Sequence, residues 1–248
     1  MTIKFKKAAV VFLSICIVIT LLLFLIYQQT ISITPLLAKK YEVRGIDVSR
    51  YQGGIDWAVL AEGQDFAYIK ATEGSGYADD KFAYNFKEAK AAGLRVGAYH
   101  FFSFDSSGET QADNFIDNVG DGAGMLPPVI DVEYYGKYFK DPKPAEEVLP
   151  ELEAMTERLR RYYGTEPVIY STGSAYRRYI RDSGTDCPMW RRNVYFKPSG
   201  DWSFWQYSSV GRLEGYSGEE KHIDMNVFKG TRDELDAMLC PGHAAVSG

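Results

Sequence analysis

Leu126-Pro-Pro-Val-Ile-Asp-Val-Glu-Tyr-Tyr-Gly136 reads as a short buried strand that ends on two carboxylates. Val129, Ile130 and Val132 are β-branched and apolar, and Pro127-Pro128 marks where the preceding loop stops. Side chains at i and i+2 of a strand share a face, so Asp131 and Glu133 point the same way, their Cα atoms about 6.5–7 Å apart. Acids at the end of an apolar strand are costly unless they have a partner or a task. Arg, Lys or loop amides could satisfy them, so the surrounding chain must decide.

Working outward, strand-like and helix-like segments alternate from Tyr41 onward. Before the acidic strand come the strands Val43–Ser49, Phe66–Thr72 and Leu94–Phe102. Between them lie an amphipathic turn at Ile55–Ala61 and a helix through Phe82, Phe86 and Ala89, which Asp79 can cap and Gly93 stops. A helix through Ala112, Phe115, Ile116 and Val119 leads to the acidic strand. After it come a long helix striped by Leu149, Leu152, Met155 and Leu159, the strand Glu166–Ser171 and a short helix from Ser174 to Ile180. The pattern then changes. Pro188–Tyr195, Ser203–Tyr207 and His222–Phe228 read as strands without helices between them, and a helix from Thr231 to Leu239 closes the chain. Five βα units and three further strands predict an α/β fold, a TIM-like (β/α)5(β)3 barrel with a parallel sheet.

The N-terminus is a separate object. Three lysines within residues 1–7 precede twenty uncharged residues, Ala8 to Tyr27. That run exceeds the apolar core of a secretory signal, about 7–15 residues, and suffices to cross a bilayer. No Ala-x-Ala cleavage site follows. The division expected is a cytoplasmic lysine cluster with a transmembrane signal-anchor at 1–28, a linker at 29–40, the barrel at 41–240 and a flexible tail at 241–248. The lysines place the N-terminus in the cytoplasm and the barrel outside, in a single-pass membrane protein; a cleaved, secreted form is the alternative. Residues 1–40 hold five lysines and no acid, whereas the whole chain has 28 basic and 33 acidic residues, so the exported part carries a formal charge near −10. Such a surface excludes nucleic acid as a partner. Cys16 lies in the apolar run, and Cys187 and Cys240 either pair in an oxidising compartment or remain buried thiols.

In a barrel, functional groups gather at the C-terminal ends of strands. The strand ends here supply Asp47, Lys70 with Glu73, Tyr99-His100, Asp131 with Glu133, Tyr170, Trp190, Trp205-Gln206-Tyr207 and Asp224. Crowded carboxylates beside apolar walls raise one another's pKa, which keeps one protonated as a general acid beside an ionised partner. Two carboxyls flanking a bond, with aromatic walls for sugar rings, is the layout of glycoside hydrolysis. There is no Gly-x-Ser-x-Gly, His-Glu-x-x-His, Cys-x-x-Cys or phosphate loop, and no metal or cofactor is expected. His100 reads as a hydrogen-bonded barrel residue, His222 opens a strand and His243 sits in the tail.

Six blocks in order carry a resemblance. Arg44-Gly-Ile-Asp-Val-Ser-Arg-Tyr-Gln-Gly53, Tyr68-Ile-Lys-Ala-Thr-Glu-Gly74, Gly97-Ala-Tyr-His-Phe101, Pro128-Val-Ile-Asp-Val-Glu133, Phe204-Trp-Gln-Tyr207 and Ile223-Asp-Met-Asn226 resemble the glycoside hydrolase family 25 muramidases. A chitinase-like signature needs an Asp at position 129, where Val129 stands. The resemblance implies cleavage of the β-1,4 bond between N-acetylmuramic acid and N-acetylglucosamine in peptidoglycan, by a monomer. It implies Glu133 as general acid and Asp131 as the group that stabilises charge on the sugar or orients its acetamido arm. Asp47 and Asp224 complete the acidic floor, and Tyr99, Tyr170, Trp190, Gln206 and Tyr207 are groove candidates. The chain departs from the family at Arg191-Arg192, where an apolar residue and alanine are usual. Either one arginine faces solvent and the other pairs with an acid, or the pair forms a subsite for an anionic group. The rival functions are a non-catalytic peptidoglycan-binding scaffold and an envelope assembly in which the barrel only recruits partners.

Overall fold

The computed structural model describes residues 3–242, with side chains from Lys7 onward. Helix α1 (Ile3–Tyr27) and a short helix α2 (Thr34–Ala38) precede the barrel. Its strands are β1 (Arg44–Val48), β2 (Phe66–Glu73), β4 (Arg95–Phe101), β5 (Val129–Val132), β6 (Val168–Ser171), β7 (Met189–Arg192), β8 (Phe204–Gly211) and β9 (Ile223–Phe228), while β3 (Tyr77–Ala78) folds back on β2. The helices between them are α3 (Trp57–Leu60), α4 (Phe82–Ala91), α5 (Gly108–Val119), α6 (Ala145–Tyr163) and α7 (Gly173–Ala175), the last continuing into one π turn at Tyr176–Ile180. After α7 the next helix is α8 (Arg232–Asp236). Thus five βα units are followed by three strands, as the sequence predicts.

The sheet departs from the expected parallel arrangement at one strand. β1, β2 and β4 through β8 run parallel to their neighbours, but β9 is antiparallel to both β8 and β1 as it closes the ring. A parallel return requires a crossover of a dozen or more residues, usually helical. The link from β8 to β9 holds no helix, so the chain reverses.

Strand alternation divides the barrel into two packed regions. Inward-facing Phe66, Tyr68, Val129, Val168, Trp190, Phe204 and Phe228 fill the floor. The rings of Phe66 and Tyr68 lie where a Cβ on Gly45 or Gly97 would fall, within 2.5 and 2.1 Å, so those two positions admit only glycine. Outward-facing Ile46, Ala67, Ile69, Val96, Ala98, Ile130, Val132 and Ile169 pack beneath the helices. The floor is sealed by α8, whose Thr231 forms a capping box with Glu234. Arg232 Nε donates to Asp65 at 2.6 Å and Arg95 grips Asp236 with two bonds of 2.6 and 2.8 Å, which ties α8 to the loops entering β2 and β4.

No βα helix covers the outer face of β7 to β9. Trp202, Trp205, Tyr207 and Val227 are buried there by Leu37, Ala38 and Tyr41. The segment read as a linker, 29–40, is therefore packed on the barrel where a βα helix is missing. Cys187 and Cys240 are separate buried thiols, the first donating to Glu166 and the second to the Leu126 carbonyl, both at 3.8 Å. The unpaired alternative holds. The expected tail and His243 lie, from residue 243 on, outside the described residues.

Candidate active site

The mouth of the barrel is a cleft of about 560 Å³ lined by Asp47, Tyr99, Asp131, Glu133, Tyr170, Trp190, Gln206 and Asp224 among others. Asp47 and Asp224 face each other in register on β1 and β9. Because β9 runs backwards, Asp224 reaches this rim from near the start of its strand. Asp131, on β5, and Glu133, just beyond it, share the inward face that the i, i+2 spacing predicts. Tyr207 is not brought here. Gln206 faces in, so its neighbour faces out, and Tyr207 packs against Trp205 beneath α2.

A hydrogen-bond network fixes Asp47. Gln206 Nε2 and Asn226 Nδ2 donate to its Oδ2 at 3.0 and 2.7 Å. Each amide is oriented from behind, since Tyr170 donates its hydroxyl to Gln206 Oε1 at 2.8 Å and the Trp190 indole donates to Asn226 Oδ1 at 2.9 Å. A donor at each amide oxygen leaves each NH2 turned toward the carboxylate. Trp190 is only 2% exposed, so it acts through Asn226 rather than as an open sugar platform. Asn226 is not among the residues expected from the sequence, although it lies two residues from Asp224 and therefore on the same face.

The other three acids contrast with Asp47. Asp131, Glu133 and Asp224 have no side-chain hydrogen bond among the described residues, and Asp131 Oδ1 is buried without any partner. Burial lifts all four acids. It pushes Asp131 well above the usual carboxylate range, with Glu133 adding to the rise and Lys70 opposing it. It raises Asp224 likewise, with Asp47 next, and it raises Glu133 against the pull of Arg192 and Lys70. Asp47 is raised to about 6, because burial outweighs the two amide donors and Arg192. Burial and mutual repulsion in an acid-crowded cleft favour the protonated form of its carboxyls.

Two cations temper the cleft. Lys70 Nζ bonds Glu73 at 2.8 Å and lies over the rings of Tyr77 and Phe101. Arg192 lines the cleft and donates to Ser209 Oγ at 3.1 Å, with no carboxylate within 4.0 Å among the described residues. Alternation sends Arg191 outward, where its guanidinium stacks 3.3 Å from the centre of the Tyr176 ring instead of facing solvent. His100 is buried and neutral, its pKa lowered to about 4 by burial, with Nδ1 accepting from Thr72 and Nε2 donating to Gln111. Tyr51, Phe139, Tyr134 and Phe101 also line the mouth, and the first two are 51% and 70% exposed. These loop and strand-end aromatics are not among the site residues expected from the sequence. Among the described residues no cluster of His, Cys, Asp and Glu is suited to a metal ion.

A barrel that presents unpartnered carboxyls at its mouth has the arrangement of a glycoside hydrolase. The sequence matches the model of glycosyl hydrolases family 25 over residues 46–216, and the chain belongs to that family. It is 36% identical to Lysozyme M1 of Streptomyces globisporus over 217 residues, 79% of this chain and 71% of that one. Among solved structures it is similar to a family 25 glycosyl hydrolase from Bacillus anthracis, with 47% identity, a TM-score of 0.76, and coverage of 81% of this chain and 94% of that one. A bacterial lysozyme from Streptomyces coelicolor superposes with a TM-score of 0.71 at 34% identity, over 79% of this chain and 96% of that one.

Proposed function

We propose that this glycoside hydrolase cleaves peptidoglycan at the β-1,4 bond between N-acetylmuramic acid and N-acetylglucosamine, from an anchor in the cytoplasmic membrane. The observation that carries the reading is the contrast among the acids: Asp47 is held by two amides, whereas buried Asp131 and half-buried Glu133 have no donor of their own among the described residues. Buried carboxyls without partners are costly, and a sugar supplying oxygens and an acetamido N–H relieves that cost. Glu133, raised by burial, holds the proton it delivers to the leaving oxygen. Asp131 sits beside it and stabilises the positive charge that develops on the sugar, or accepts from the acetamido N–H through its unpartnered Oδ1. Asp47 and Asp224 position substrate or water from the opposite side. The exposed rings of Tyr51 and Phe139 are platforms for flanking sugars.

Helix α1 supports the anchor. Lys7–Tyr27 is long and apolar enough to cross a membrane, and no residue of its apolar window is buried in the protein. Its hydroxyls are satisfied inside the helix, Ser14 by the Val10 carbonyl and Thr20 by the Cys16 carbonyl.

The test is to digest purified peptidoglycan with the full-length chain and weigh the fragments. Reducing muramic acid ends support the assignment; anhydro ends indicate a lytic transglycosylase, and reducing glucosamine ends move the cut to the other bond. Glu133→Gln is expected to fold with unchanged melting behaviour and to lose at least about a hundredfold in turnover. Activity like that of the unsubstituted chain removes Glu133 from the role of acid. Binding to several wall types without fragment release favours the scaffold instead.

A further inference from the structure

The thirteen residues between α1 and the barrel do not behave as a tether. Gln29 is the one non-glycine residue with positive φ among those described, at 55°, a backbone region that L side chains rarely adopt. The turn it makes is bonded back to the helix, with Ile31 N donating to the Leu25 carbonyl at 3.3 Å. Its side-chain amide is also held at both ends by one residue: Gln29 Nε2 donates to Ser209 Oγ at 2.8 Å, and Ser209 N donates to Gln29 Oε1 at 3.3 Å. Ser209 lines the cleft, and its hydroxyl also accepts from Arg192. Further on, Thr34 is buried, donates to the Tyr207 carbonyl at 2.7 Å and meets the Ser32 hydroxyl. Leu37, Ala38 and Tyr41 then lie on Trp202 and Trp205.

Taking the anchored reading above as its basis, we propose that residues 28–41 form a stiff strut which holds the mouth of the barrel at the bilayer surface, so that the substrate is the glycan lying against the membrane. Tyr27 ends α1, and Gln29 already touches the rim of the cleft. Two residues reach at most about 7 Å, so the mouth lies on the order of 10 Å from the headgroups. A free linker of this length would let the barrel wander roughly 20 Å on average and reach about 45 Å at full extension. The strut removes that freedom. It selects strands of the innermost layer, including those still attached to a lipid carrier, over cross-linked wall further out.

The experiment uses the full-length protein in phospholipid vesicles. A fluorophore is placed at Phe196→Cys, an exposed site in the loop leaving β7, or at Lys90→Cys beside the floor, and the vesicles carry a headgroup quencher. The label at 196 is expected to be quenched several-fold more than the label at 90. A twelve-residue Gly/Ser insertion between Tyr27 and Gln28 is expected to abolish that difference. In parallel, an uncross-linked glycan polymer is supplied either lipid-linked in the same vesicles or free in solution. The uninserted chain is expected to cut the vesicle-bound polymer at least tenfold faster, and the insertion to bring the ratio toward one while leaving the rate on free polymer unchanged. Equal quenching at both labels, or a ratio unaffected by the insertion, overturns the strut. Release of the protein by alkaline carbonate overturns the anchor beneath it, and failure to cut free polymer overturns the hydrolase assignment.

Discussion

Asp47 exposes the tension between stability and chemistry most plainly. Its folded pKa is about 6 against an ordinary 3.8, because burial outweighs its two amide donors. A raised folded pKa means that the native state holds the proton more tightly than the unfolded chain does. Its contribution to stability is thus fully present below about pH 4 and is lost as pH rises through 6. Asp47→Asn is expected to be more stable than the parent at pH 7, by at most about 3 kcal/mol, with no difference at pH 4 and with activity lost. Urea titrations at the two pH values check this, and equal differences at both would sink it. The acids themselves were legible in the sequence, because period-two alternation fixes which residues of a strand share a face. The same rule also excludes Tyr207, since Gln206 and Tyr207 are neighbours and only one can face inward. Tyr51 and Phe139 escaped because short 3-10 turns after strands carry no such period.

At the scale of elements, α5 and α6 are packed so closely that one methylene decides their contact. A Cβ on Gly108 would fall 1.8 Å from the Glu151 carbonyl oxygen, in the backbone of α6, while Gly108 N donates to the Glu151 carboxylate at 2.7 Å. Gly108→Ala therefore has to push the helices apart and is expected to cost about 1–3 kcal/mol. Gly76→Ala, with open space around it, is the control and should change thermal stability little. The helices and strands were legible from their periods and capping residues; the direction of β9 was not. A hydrophobic pattern reads the same in either direction, and only the length and character of the link from β8 bear on it. Nor does the sequence reveal that α2 replaces a missing helix, because Leu37 and Ala38 show too short a run to form a stripe.

For the whole molecule, the boundary of the folded unit depends on that packing. A fragment beginning at Tyr41 removes Thr34, Leu37 and Ala38 from the outer face of β8 and uncovers part of Trp202, Trp205 and Tyr207. It is expected to lose roughly 2–4 kcal/mol relative to a fragment beginning at Gln29, and to associate through the exposed rings. Denaturant midpoints and light scattering of the two fragments decide this, and matching behaviour would restore 29–40 to the status of a free linker.

The reversal of β9 has one more consequence. A final parallel strand would have delivered the chain to the mouth, beside α1. Running backwards, β9 carries it to the opposite pole, where α8 is riveted by Asp65 and Arg95. The segment that follows α1 thus meets the barrel at its mouth, and α8 sits at the opposite pole. A cargo fused behind α8 would be displayed at the pole opposite the cleft, and a pull on that cargo would run lengthwise through the barrel to α1.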